Sequence, residues 1–398
     1  LPKFKIIQQL IDRLNLVARE NLVGMMVVRA FNRQGHEEQR FDQANLDLTA
    51  TSLFVNRVFV IVFPVMMLLM NGAMMLILWV GAHQVAQSTM QVGDMMAFMQ
   101  YAMQIVFAFM MLSMMFIMFP RADVSANRVA DVLETPVTIL DPPQPKAFPE
   151  PFEPSIEFDH VSFHYPDAEE DVLHDLTFRI EPGQTVGVLG TTGSGKSTVV
   201  NLIPRFFDVT DGAIRISGVD VREVTLHDLR DKIGYVPQHS NLFTGTVESN
   251  LRFADEEADE EAMREALRIA QAEFVLQGDE SLDAEVSQGG ANFSGGQRQR
   301  LTIARALVKR APIYIFDDSF SALDYRTDAL LRRALLQSLN DSTVIIVSQR
   351  VATIKNADQI LVFDAGRLIG QGTHAELMET CDVYREIALS QLKQEALA

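Results

Sequence analysis

A single cysteine, Cys381, stands in 398 residues, so no internal disulfide is available, and no cysteine and histidine cluster has metal-ligand spacing. Basic charge is also scarce. Against 52 aspartates and glutamates there are 34 lysines and arginines, a net charge of −18, and this argues against a nucleic-acid partner, whose phosphate backbone calls for basic patches. The sequence has no low-complexity tract and no stretch that reads as a secretory signal peptide. Charge of either sign is missing from two long runs, 58–80 and 95–119, and the segment between them, 82–94, contains neither lysine nor arginine.

Each of these runs is long enough to cross a hydrocarbon core of about 30 Å as a helix, and both read as transmembrane helices. A buried helix pair in a soluble protein is the weaker reading, because apolar runs of this length are uncommon in soluble folds. Lys3, Lys5, Arg13, Arg19, Arg29, Arg33, Arg40 and Arg57 precede the first run, and Arg121 and Arg128 follow the second. The positive-inside rule then places the loop outside and both chain ends in the cytoplasm. Of 19 methionines, 15 lie between Met66 and Met118. They read as lipid-facing or packing residues in preference to a promiscuous thioether pocket, and no histidine or cysteine cluster supports copper binding. Gln100 and Gln104, one turn apart, share a helix face, either lining a cavity or contacting a neighbouring helix.

The chain opens on Leu1, not methionine, and its first 31 residues have apolar side chains at helical spacing. A C-terminal part of a longer membrane protein is the expectation. Residues 1–50 should be helical and cytoplasmic, with a break near Gly24 or Gly35. The second span should close at Pro120 and be followed by a further helical segment. The proline-rich stretch DPPQPKAFPEPFEP, 141–154, reads as a stiff linker. The expected organisation is a membrane part over 1–135, a linker over 136–154, an α/β domain over 155–390 and a tail over 391–398.

GTTGSGKST, 190–198, has the phosphate-loop spacing, with Gly190, Gly195, Lys196 and Ser197 at the required places. It follows a strand-like stretch (TVGVLG) and precedes a helix-like one (STVVNL). Gly190, Thr191, Thr192, Gly193, Ser194, Gly195 and Thr198 are thus candidates to cradle phosphate with their backbone amides. Lys196 would reach the β- and γ-phosphates, and Ser197 would hold Mg²⁺. The apolar run IYIF ends in Asp317, a second candidate for the metal through water. Together they indicate a nucleotide triphosphatase.

NFSGGQRQR, 292–300, narrows the class, because it resembles the signature of ATP-binding cassette (ABC) transporters. The resemblance covers 155–390 strongly. It implies that Tyr165 stacks on adenine, that Gln238 links Mg²⁺ to the membrane domain, and that SALD, 321–324, crosses a dimer interface. Residues 1–135 resemble the last third of an exporter-type membrane domain, with RENLVGMMVVRAFNRQGHEEQRF as its second intracellular loop. The implied fold is a membrane α-helical part, two transmembrane helices with cytoplasmic extensions from a six-helix domain, followed by an α/β P-loop NTPase cassette. Its cofactors are ATP and Mg²⁺, and its location is the plasma (inner) membrane with the cassette in the cytoplasm. Ser294, Gly295, Gly296 and Gln297 would bind the γ-phosphate of ATP held by a second half-transporter.

Two residues depart from that family's pattern. Asp318 stands where the family has a glutamate that orients or deprotonates water. Its carboxylate sits about 1–1.5 Å farther back, and a misplacement of about 1 Å can cost on the order of 10²-fold in rate. Gln349 stands where the family usually has histidine, and an amide carries no proton or positive charge at neutral pH. Nucleotide binding should survive while hydrolysis at this chain's own loop is slow. This resembles one half of heterodimeric bacterial multidrug exporters, whose partner would carry glutamate and histidine and an altered signature. A homodimer in which Asp318 works adequately is the alternative, as is a mainly regulatory ATP-binding subunit. Expected substrates are hydrophobic small molecules or lipids. Phe243 and Thr244 are either contacts to the membrane domain or ordinary surface packing.

Overall fold

A computed structural model describes residues 2–166, 168–278 and 281–395, and the chain divides into two compact units, 1–135 and 136–398. The first unit is helical throughout: α1 (Pro2–Val23), α2 (Met25–Ala30), α3 (Gln34–Ala86) and α4 (Val92–Glu134). Regular helix is interrupted twice before α3. Gly24 separates α1 from α2 where an added Cβ would stand 2.9 Å from the Glu20 carbonyl oxygen, and Asn32 turns the chain with a φ of 52°.

α3 has 53 residues, about 80 Å at the usual rise, so it projects well beyond a bilayer. Pro64 lies inside it without ending it, as membrane helices tolerate. The portions apolar enough to span are Pro64–Ala86 and Val92–Leu112, shifted from the runs read off the sequence. The helical hydrogen bonding continues past both apolar runs, so α4 passes Pro120 and ends only at Glu134. α1 and α3 pack through Val17 and Ala44, both buried, flanked by the ion pair of Arg40 with Glu20 at 2.6 Å. Near the end of α3, Gly81 lets the Met95 side chain of α4 come within 2.7 Å of where a Cβ would stand.

The second unit is built on β1 (Ile156–Phe163), β2 (Leu173–Ile180), β3 (Thr185–Gly190), α5 (Lys196–Leu202), β4 (Asp211–Ile216), β5 (Val219–Asp220), α6 (Leu226–Asp231) and β6 (Ile233–Val236). There follow β7 (Gly245–Thr246), α7 (Val247–Arg252), α8 (Glu260–Ile269), β8 (Glu285–Val286), α9 (Gly295–Val308), β9 (Ile313–Asp317), α10 (Tyr325–Ser338) and β10 (Thr343–Val347). The chain closes with α11 (Val351–Ile354), β11 (Gln359–Asp364), β12 (Arg367–Gly372), α12 (His374–Thr380) and α13 (Asp382–Glu395). Gln391 thus belongs to α13 and not to a separate tail, while 396–398 fall outside the described residues.

Six strands form the central sheet in the order β12-β11-β3-β10-β9-β6, parallel except for β12, and a four-stranded antiparallel sheet, β2-β1-β4-β5, packs beside it. Because β9 and β10 are buried along their whole length, they read as continuous apolar runs, as strands covered on both faces do. Alternation then sorts their side chains. Ile313, Ile315, Ile345 and Val347 join the core beneath the antiparallel sheet and α5, whereas Tyr314, Phe316, Val344 and Ile346 join the core with α8, α9 and α10. Asp317 follows Ile313 and Ile315 on the α5 side.

Candidate functional site

The site begins in the turn from β3 to α5. Gly190 closes β3 where nothing larger fits, since a Cβ there would stand 2.3 Å from the Phe363 carbonyl oxygen and 2.5 Å from Ser194 Oγ. Gly193 and Gly195 hold φ values of +84° and +93°, the left-handed region that glycine enters without strain. Thr191 and Thr192 are exposed at the loop tip, Ser194 is buried, and Ser194 Oγ makes no hydrogen bond among the described residues. Lys196 turns back over the loop, donating to the carbonyl oxygens of Gly190 at 2.9 Å and Thr191 at 2.7 Å. Burial lowers its pKa, while Asp318 and Asp317 act the other way.

Strand order brings the second half of the site to the loop. β10 separates β3 from β9, and Val347 is in register with both Val188 and Asp317. On that face Ser197 Oγ donates to Asp317 Oδ1 at 3.0 Å. Asp317 is buried, and burial raises its carboxyl above the ordinary range. Asp318 leaves the strand with a φ of +43° and donates its backbone N–H to the Val347 carbonyl oxygen at 3.1 Å. Half-buried, its carboxyl is also raised, chiefly by burial, and Gln238 Nε2 approaches Asp318 Oδ2 at 3.5 Å. Gln349, beyond the end of β10, is exposed.

On the other side of α5, the Tyr165 hydroxyl lies 3.1 Å from Thr198 Oγ1, and its ring meets Phe207 edge-on at 5.2 Å and Phe163 at 5.0 Å. Phe207 was not singled out from the sequence. Its place beside an exposed-edge tyrosine depends on the β1–α5 packing, which no local pattern encodes.

Ser294–Gln297 stand apart from the phosphate loop. Ser294 caps α9, accepting from Gln297 N at 3.3 Å, while Gln297 Oε1 accepts from Ser294 N at 2.8 Å, the reciprocal arrangement of a capping box. The 321–324 loop comes close to them: the Ala322 carbonyl oxygen lies 3.2 Å from a Cβ built on Gly296. Gly295 is open on its outer side, with nothing within 4 Å of such an atom. A phosphate loop, a hydroxyl and carboxylate pair and an aromatic thus lie around α5, and the capped start of α9 makes no hydrogen bond to them among those described.

Comparison with known proteins accounts for both units. Residues 173–321 match the ABC transporter family, and residues 3–109 match the ABC transporter transmembrane region. An uncharacterized ABC transporter ATP-binding protein of Mycobacterium tuberculosis is 44% identical over 394 residues, covering 98% of this chain and 68% of that protein. The chain belongs to the ABC transporter family. A Bacillus subtilis protein named as a probable multidrug resistance ABC transporter ATP-binding/permease protein is 33% identical over 387 residues, 96% of this chain and 66% of that one. The solved structure of a bacterial Atm1-family ABC exporter with ATP bound superposes with a TM-score of 0.83 at 29% identity, over 98% of this chain and 70% of the other. This ABC exporter therefore carries membrane helices fused to an ATP-binding cassette, works as a dimer in the membrane with its cassette in the cytoplasm, and couples ATP hydrolysis to transport as its family does.

Proposed function

We propose that this chain is one half of an exporter for hydrophobic compounds, drug-like molecules or lipids, whose own phosphate loop holds Mg²⁺ and ATP but hydrolyses slowly. Its partner is a second half-transporter, most simply a different chain carrying the glutamate and histidine that this one lacks. The multidrug-resistance relative is consistent with such substrates. The observation that carries the reading is the pair at the end of β9. Asp317 already meets Ser197 at 3.0 Å, whereas Asp318, one methylene shorter than glutamate, is met only distantly by Gln238 at 3.5 Å.

The residues present fit the cofactors. Ser197 Oγ and Asp317 Oδ1 are hard oxygen donors facing one another, suited to Mg²⁺ with water in the remaining positions, and the Gln238 carboxamide approaches the neighbouring Asp318. In this reading Gly190–Thr198 cradle the phosphates, and the terminal phosphate takes the hydrogen bonds of Lys196 that now go to Gly190 and Thr191. The buried Ser194 hydroxyl gains an acceptor for its proton at the same step. Mg²⁺ supplies charge neutralisation at the transferring phosphoryl group. Tyr165 presents its ring to adenine, and Ser294–Gln297 serve the ATP of the partner.

Turnover measured on the purified chain alone tests this. The homodimer should hydrolyse ATP slowly, and the double substitution D318E/Q349H should raise the rate on the order of 10²-fold, the penalty expected for a base misplaced by about 1 Å. Vigorous turnover by the unsubstituted homodimer would sink the slow-site reading and favour a working homodimer.

A further inference from the structure

The loop between β10 and α11 contains no cap of its own. Val351 opens α11, and its N–H is one of the donors that every helix start leaves without an intrahelical partner. Arg350, at the capping position, has a cationic side chain that cannot accept a hydrogen bond. The acceptor comes instead from α13, 40 residues on. Gln391 Oε1 accepts from Val351 N at 2.8 Å, and Gln391 Nε2 donates to the Gln349 carbonyl oxygen at 2.7 Å. One carboxamide thus straps the backbone on both sides of Arg350.

The strap is anchored at its far end. Tyr384 and Ala388 of α13 are buried in the cassette core, and the Tyr384 hydroxyl lies 2.7 Å from His374 Nδ1. The strapped loop is also next to the chemistry. The Asp318 backbone is bonded to Val347, two residues before Gln349, and the Arg350 guanidinium lies 5.3 Å from the centre of the Tyr325 ring, the residue that follows the 321–324 loop.

We propose that Gln391 is a positioning residue: through its two hydrogen bonds α13 sets the loop so that Gln349 faces the terminal phosphate of bound ATP. This rests on the proposed ATP site, with Gln349 contacting the terminal phosphate from the place where the family usually has histidine, and extends that site to a residue in the last helix. The side chain has to be a carboxamide of this length. Glutamate keeps the acceptor for Val351 but sets an anion against the Gln349 carbonyl oxygen, leucine keeps neither bond, and asparagine is one methylene too short to reach both partners.

The test is the ratio of affinities for a non-hydrolysable ATP analogue and for ADP, each with Mg²⁺, measured on the full chain in lipid nanodiscs. Q391L should weaken the analogue by about tenfold, the loss of one or two net hydrogen bonds, with ADP changed less than twofold. Q391E should fall between Q391L and the unsubstituted chain, and it carries the test if Q391L does not fold. The control is Q349A, which should lower the same ratio. A ratio that is unchanged in the Gln391 variants but lowered in Q349A overturns the strap and leaves the role of Gln349 standing. A ratio unchanged in Q349A as well overturns both. Equal weakening of both nucleotides would make Gln391 a structural brace only, and that too overturns the proposal.

Discussion

Asp318 carries a carboxylate into a place that is already anionic, directly after Asp317 and within electrostatic reach of the buried Lys196. Burial raises its pKa in the folded chain, so the folded state holds its proton more tightly than the unfolded state does. Stability of the nucleotide-free protein should therefore fall as pH rises from the ordinary aspartate value, about 3.9, through the raised one, and stay lowered at neutral pH. Removing the charge should reverse this. D318N is expected to raise the melting temperature of the nucleotide-free protein at pH 7 by a few degrees, corresponding to about 1 kcal/mol, and to flatten its rise toward acid pH. A differential scanning measurement with and without Mg²⁺ and ATP checks both, since bound cation should erase the difference. The place of Asp317 at the end of β9 was legible from the apolar run before it, whereas a separate part for Asp318 was suggested only by the resemblance to a family with glutamate there. The left-handed backbone of Asp318 was not legible, because it follows from the hydrogen bond to Val347 on a neighbouring strand.

α10 and α11 show what links one element to the next behind the site. Asp328 is buried in α10, paired with Arg332 one turn on, and Arg332 Nη1 also donates to the Ala352 carbonyl oxygen of α11 at 2.9 Å. Truncating the arginine strands the carboxylate. R332A should cost about 3 kcal/mol, whereas D328N/R332M should cost much less, because the penalty lies in the unpaired buried charge more than in the lost attraction. Chemical denaturation midpoints of the two variants decide it, and equal losses would count against the argument. Elements whose pattern is local were readable: the strand, glycine turn and helix around Lys196, the apolar strand ending at Asp317, and the helix opened by Ser294. The limits of α3 and α4 were not, because helical hydrogen bonding runs on through polar sequence after the apolar runs end. Nor was the contact of Gln391 with the Val351 backbone, which joins residues 40 apart and has no signature in either segment.

In the proposed dimer the two halves of the ATP chemistry belong to different subunits, and Gly295 allows them to be separated by experiment. Gly295 stands in the first turn of α9 with open space around a built Cβ and no positive φ, so a side chain there meets no obstacle within its own chain. A carboxylate at that place is even favoured by the helix dipole. Yet in the proposed dimer it would occupy the position of the partner's γ-phosphate and repel it. G295D should therefore leave this chain's melting temperature within about 1 °C, a surface-level effect on stability, and abolish ATPase of the co-purified pair. K196A in the same chain touches only the slow site, and it should lower the pair's ATPase several-fold without abolishing it. Introducing the two changes one at a time into the pair, with vesicle transport measured alongside, separates the models. If K196A proves as damaging as G295D, both sites turn over equally and the asymmetry assigned to Asp318 and Gln349 is wrong.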